Sequence, residues 1–227
     1  MRVGGIVTSG VMLQTHGLKY RYADSGPLMA FPDLSIDRGK ELLLLGASGT
    51  GKTTLLHLVA GMRTPTEGAV ELADAPFSTL TATERDRVRG RELGIVFQTA
   101  HFVRSLTVSE NLALARSLAG LAPDPVRIQA LLTGLGLGHK LQARVDALSV
   151  GEQQRASIAR AVVHSPGLIL ADEPTSALDD SNTDAVLDLL RQHAAETGAA
   201  LLVVTHDQRL KDRMADRVEL TPHPSIA

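Results

Sequence analysis

The chain has 227 residues, with 23 basic and 25 acidic side chains, a net charge of -2 and no cysteine. The near balance of charge and an aromatic share of 3% argue against a polyanion-wrapping or base-stacking surface, so no nucleic-acid partner is expected. The lack of cysteine excludes disulfides and thiolate metal sites and is compatible with a reducing compartment. The proportions of hydrophobic (44%) and charged (21%) residues are those of a globular protein.

The longest apolar runs, Leu42–Leu45 and Ala199–Val204, are strand-length, whereas a membrane-spanning helix needs about 20 apolar residues. Residues 1–11 lack the apolar stretch of a signal peptide. They read as a loose extension, with Met12 serving equally well as a beginning, and residues 12–227 are expected to form a single domain.

In chain order, Met12–Tyr22 mixes apolar and polar residues like an exposed strand, and Glu41–Leu45 reads as a strand buried on both faces. Thr53–Ala60 predicts a helix closed by Gly61. Pro65–Gly68 predicts a turn before a short strand, Ala69–Leu72. Thr81 with Glu84, Thr107 with Glu110 and Ser149 with Glu152 have the spacing of capping boxes. The helix opened by Ser149 should run to about His164, where Ser165-Pro166 stops it. A buried strand, Leu168–Asp172, a helix Ser181–Glu196 capped by Gly198, a strand Ala200–Thr205, a short helix and a tail complete the chain. Strands alternating with helices predict an α/β fold. Its mostly parallel sheet is interrupted by a helical insertion between about Thr99 and Ser165.

Gly46-Ala47-Ser48-Gly49-Thr50-Gly51-Lys52-Thr53 matches the phosphate-binding loop pattern at every fixed position, between a buried strand and a helix. The glycines let successive N–H groups point inward at phosphate oxygens, and the helix start adds its positive dipole end. A chance glycine-rich turn would account for the glycines but not for Lys-Thr at that offset. Lys52 is expected to reach the β- and γ-phosphates and Thr53 to ligate Mg²⁺. Thr54 completes the expected ATP-binding set. Leu168–Glu173 is an apolar strand ending in two carboxylates. Strand carboxyl ends collect ligands in an open parallel sheet. Asp172 is thus placed to hold Mg²⁺, directly or through water, and Glu173 to polarise the attacking water.

Leu148-Ser149-Val150-Gly151-Glu152-Gln153-Gln154-Arg155 resembles the signature of the ABC ATPases, and the resemblance extends over Met12–Leu220. It implies a P-loop nucleotide hydrolase core with an N-terminal antiparallel β portion and a helical subdomain. Tyr22 is similar to the family's adenine-stacking aromatic and Phe97-Gln98 to its Q-loop, which links the Mg²⁺ region to the helical subdomain. Pro174-Thr175-Ser176-Ala177-Leu178-Asp179 is similar to its D-loop, and His206 to its switch histidine. Each alone has an ordinary reading: Ser149 as a helix cap, His206 as a surface histidine, Tyr22 as a strand aromatic. The ordered set is what carries the resemblance.

The resemblance implies a homodimer around two Mg-ATP. Ser149, Val150, Gly151 and Glu152 of one copy, with Asp179 at the seam, would act on ATP held by the other. It also implies ATP hydrolysis by Glu173, His206, Gln98 and Lys52, a Mg²⁺ site of Thr53, Gln98 and Asp172, and a separate transmembrane permease. The expected location is peripheral, on the cytoplasmic face of the cell membrane. Glu152–Arg155, Asp172–Thr175 and Leu106–Leu112 look like the lipoprotein-release and macrolide-export branch.

Val150 replaces the first glycine of the signature pair. In an ordinary helical start its effect is small, and if glycine's backbone is needed against the γ-phosphate, closure weakens; hydrolysis is expected to be slowed but not abolished. Three rival readings compete with this one: a DNA-repair or chromosome ATPase, a small-molecule kinase, and an ATP-gated signalling module. The first lacks its coiled coil or zinc cysteines. The second leaves the signature unexplained. Glu173 and His206 oppose the third, although Val150 keeps it open.

Overall fold

The computed structural model describes residues 10–23, 25–175 and 180–221. Two sheets divide the strands. In the first, β1 (Val11–Tyr20) pairs antiparallel with β2 (Met29–Ala30), β3 (Ser35–Asp37) and β5 (Glu67–Leu72). The expectation of an exposed strand is corrected here. With partners on both edges, β1 fully buries Met12, Leu13, Thr15 and Leu18. Its mixed sequence reflects one solvated face rather than an outer position.

The second sheet is wholly parallel, in the order β6–β7–β8–β4–β9. Its strands are β4 (Glu41–Gly46), β6 (Leu93–Val96), β7 (Leu168–Asp172), β8 (Ala200–Thr205) and β9 (Arg217–Leu220). Strands β7 and β8 are buried at every position, which explains their unbroken apolar runs. The strand β9 was not anticipated. Its alternating exposure is that of an edge strand, and Arg217 and Glu219 hide it in a polar tail.

Helix α1 (Lys52–Val59) follows β4 and shares a core with the antiparallel sheet, where Leu55, Leu56, Val59 and Phe77 are buried together. The opposite face of the parallel sheet carries α5 (Val150–Val162) and α6 (Asp180–Thr197), with Ile158, Leu187 and Leu190 in that core. A third apolar cluster joins α5 to α3 (Val108–Leu118) and α4 (Pro125–Gly134) through Leu112, Leu132, Ala156 and Ala159. Between β5 and β6 lies α2 (Ala82–Glu92). All three capping boxes form, at Thr81, Thr107 and Ser149. Among the described residues no helix is long and apolar enough to cross a membrane.

Candidate functional site

Because the five parallel strands run the same way, their carboxyl ends meet on one rim. That rim carries the loop after β4, Asp172 at the end of β7, Thr205 at the end of β8, and Gln98 two residues beyond β6. A cleft of about 510 Å³ opens there, lined by Tyr22, Met29, Ser48, Gly49, Gly51, Lys52, Thr53, Thr54, Gln98, Glu173 and His206.

The loop is shaped by its sequence. Gly49 and Gly51 take φ of 82° and 95°, values open to glycine and strained for other residues. Gly46 is required for a different reason: a Cβ there would lie 2.6 Å from Thr50 Oγ1 and 3.1 Å from the Leu220 carbonyl. Thr50 is buried, and its hydroxyl donates to the Ala47 carbonyl at 2.9 Å, closing the loop on itself. The Lys52 ammonium lies inside, donating to the Gly46 and Ala47 carbonyls at 2.7 and 3.0 Å and standing 3.6 Å from Glu173 Oε1. A buried cation beside a ring of backbone N–H groups is a site for a multiply charged anion.

Asp172 shows what a cation would find. Its Oδ2 accepts from Thr53 Oγ1 at 3.2 Å, while its buried Oδ1 has no hydrogen-bond partner. Burial pushes the Asp172 carboxyl above its usual value, with the neighbouring Glu173 acting in the same direction and the Thr53 bond and Lys52 against it. A carboxylate with one oxygen unpartnered, next to a hydroxyl, is a hard oxygen set that fits Mg²⁺, which takes one or two protein ligands and fills the rest with phosphate and water.

Glu173 is held more completely. Its backbone adopts φ of 48°, and its N–H donates to the Val204 carbonyl at 2.7 Å. Its Oε2 accepts from Thr205 Oγ1 at 2.8 Å and from the His206 N–H at 3.3 Å, and Oε1 meets His206 Nδ1 at 2.8 Å. The His206 ring is otherwise open, its side chain 57% exposed. Thr205 was not among the residues singled out from sequence; the available signal was a hydroxyl closing an entirely apolar strand.

Tyr22 stands at the cleft's far end, 60% exposed, with its hydroxyl 2.6 Å from Thr54 Oγ1. The Arg63 guanidinium lies 4.7 Å from its ring centre, and the Tyr20 ring packs edge-on at 5.0 Å. Arg63 was also missed, because stacking across 41 positions has no sequence signature.

The structure does not bring every expected residue into this cleft. Ser149, Val150, Gly151 and Glu152 open α5 and do not line it. The Ser149 N–H donates to Glu152 Oε2 at 2.8 Å, which holds the Glu152 carboxyl below its usual value. Val150 is the first residue of α5, in helical conformation, with 65% of its surface exposed. It therefore has the ordinary helical start, in which glycine's freedom is not needed. The α5 helix is tied to the loop after Glu173 by Gln154 Nε2, which donates to the Pro174 carbonyl at 2.8 Å. Asp179, expected at the seam, lies outside the described residues.

The family model of the ABC transporter matches residues 32–176. Among solved structures, the chain is similar to a dimeric, post-hydrolysis state of the ATP-binding cassette MJ0796 bound to ADP and Pi. The two are 28% identical over 92% of this chain and 94% of that one, with a TM-score of 0.84. A further dimeric structure of MJ0796, described as a bacterial ABC transporter cassette, matches with a TM-score of 0.83 at the same identity and coverage. The chain is also 26% identical to cbiO1 from Clostridium perfringens, part of the ABC transporter complex cbiONQ, over 88% of this chain and 80% of that one, with a TM-score of 0.77. With a family model spanning more than half of its residues and this fold around the phosphate loop, the chain belongs to the ABC transporter family, as an ATP-binding cassette.

Proposed function

We propose that the chain hydrolyses ATP as one half of a nucleotide-bridged homodimer and drives a separate membrane permease. The observation that carries this reading is the pairing of Lys52 and Glu173 in one cleft, a phosphate-binding cation 3.6 Å from an anchored carboxylate. In this reading the loop N–H groups and Lys52 hold the triphosphate, and Tyr22 stacks on the base. Thr53 and Asp172 hold Mg²⁺, whose charge offsets that of the phosphate oxygens, and Gln98 stands at the edge of this set. Glu173 takes a proton from water as the water oxygen bonds to the γ-phosphorus. The bond to the β,γ-bridging oxygen breaks, and ADP and phosphate leave. His206 donates to the γ-phosphate.

Ser149 and Gly151 act on the ATP of the other copy, with Val150 and Glu152 beside them and Asp179 at the seam. Two features support this. The start of α5 points to solvent rather than into its own cleft, and a similar cassette, MJ0796, has dimeric structures. A capped helix start is also a favourable place for phosphate charge.

The permease reading draws support from a second opening of about 900 Å³, between β6, α2 and α3, lined by Met62, Phe97, Val103, Leu114 and Leu118 among others. Phe97 faces this groove and Gln98 the nucleotide cleft, so adjacent residues join the two. In this reading the cassette works at the cytoplasmic face of the membrane. The motifs at Glu152–Arg155 and Leu106–Leu112 favour export or lipoprotein release. The test is light scattering of Glu173→Gln with ATP and Mg²⁺. Doubling of the mass is expected; solitary molecules would overturn the reading.

A further inference from the structure

We infer that Thr205 is a positioning residue for hydrolysis, the tether that aims the Glu173 carboxylate when nucleotide is bound. The inference rests on the reading of Glu173 as the base. Thr205 closes β8 beside Leu45 of β4, is fully buried, and is the single polar side chain in that strand. A buried hydroxyl needs partners, and this one has two. Its oxygen accepts from the Asp207 N–H at 3.0 Å, and its one hydrogen goes to Glu173 Oε2 at 2.8 Å. The direction of both bonds is thereby settled.

Glu173 needs such a tether. At φ of 48° its backbone is in a region that non-glycine residues hold only when surrounding contacts over-determine them. Its backbone is pinned by the N–H bond to Val204. Lys52, the backbone and ring of His206, and Thr205 all reach its carboxylate here. In the proposed reaction Lys52 and the His206 ring turn to phosphate. The Thr205 hydroxyl has no such second duty, and it lies on the buried side, away from the cleft lining. It therefore holds the carboxylate's aim through the step in which Lys52 and the His206 ring are drawn to phosphate.

The experiment compares Thr205→Val, Thr205→Ser and Thr205→Cys in the full chain, with ATP and Mg²⁺. Thr205→Val keeps the shape and removes the donor, and kcat should fall about 10- to 100-fold, the scale of a misaimed catalytic group. ATP affinity and ATP-driven pairing should stay at the parental level. Thr205→Ser should restore most of the rate. If Thr205→Val does not fold, Thr205→Cys answers the same question, since a thiol is a weak donor and should give an intermediate rate. In a Glu173→Gln background, Thr205→Val should cause no further loss, because the hydroxyl acts only through the carboxylate. A parental kcat in Thr205→Val or Thr205→Cys, or a further loss in the Glu173→Gln background, overturns the inference and leaves the base reading standing. An unchanged rate in Glu173→Gln itself overturns the base reading.

Discussion

The cleft at the end of β4 and the start of α5 are both built on helix N-termini, yet the fold treats them oppositely. At the first, buried strands deliver Lys52, Asp172, Glu173 and Thr205 to one rim, and all four are less than a tenth exposed. At the second, Ser149 caps its own helix and Val150 faces solvent. One region is assembled by its own core. The other is a capped helix start left at the surface. In the proposed reading, the contrast would let one chain bind nucleotide alone while its turnover waits for a second copy.

The sharpest way to break this comparison is to disable the buried side while sparing the exposed one. Glu173→Gln should lower the rate of phosphate release about 10²–10⁴-fold while leaving equilibrium ATP binding intact. A rate within twofold of the parent would mean that the anchored carboxylate is not the base. Next is Ser149, where the observed cap and the proposed contact with the other copy's ATP are separable. Ser149→Ala removes both and should lose about 1 kcal/mol of stability together with about 10² in turnover. Ser149→Asp keeps a good cap and should recover the melting temperature, but not turnover, because its carboxylate repels phosphate. Recovery of both would reduce Ser149 to a cap.

A smaller effect sharpens the buried side. Because burial raises the Asp172 pKa, the folded chain retains this proton at pH values where the unfolded chain has lost it. Its contribution to stability is therefore greatest in acid and falls as pH climbs from the ordinary 3.8 through the raised value. At neutral pH, Asp172→Asn should raise the melting temperature of the nucleotide-free protein by about 2–4 °C and flatten that part of the pH–stability curve. It should also remove the added stabilisation expected from Mg²⁺ in the presence of ATP. A lowered melting temperature in the variant would contradict the unpartnered buried oxygen as its cause. Smallest is Val150→Gly. With Val150 already in helical conformation and exposed, turnover should stay near the parental rate, and stability should fall by less than about 1 kcal/mol. A several-fold gain in rate would show that the β-branched residue obstructs closure after all.

Much of the site was legible because its chemistry is local. The Gly46–Thr53 loop needs only consecutive backbone N–H groups and a helix start, so spacing along the chain is spacing in space. The strands Leu168–Asp172 and Ala200–Thr205 were read at their observed bounds, since burial on both faces leaves an unbroken apolar run. The edge strand β9 escaped because half of its residues face solvent. The central place of β1 escaped because one solvated face looks the same in a central strand as in an outer one.

The sequence by itself determined the phosphate loop, the carboxylate pair at the end of β7 and the three capped helix starts through patterns within a few residues, and the resemblance to the ABC ATPases through the order of such patterns. Only the tertiary structure decided that Thr205 grips Glu173, that Arg63 packs on Tyr22, that Asp172 keeps an unpartnered oxygen and that α5 opens away from its own cleft. Those are relations between residues 30 to 120 positions apart, or between a helix start and solvent. The contacts of Thr205 and Asp172 follow from the strand order β6–β7–β8–β4–β9, and that of Arg63 from the packing of α1 against the antiparallel sheet; neither is written in a single segment.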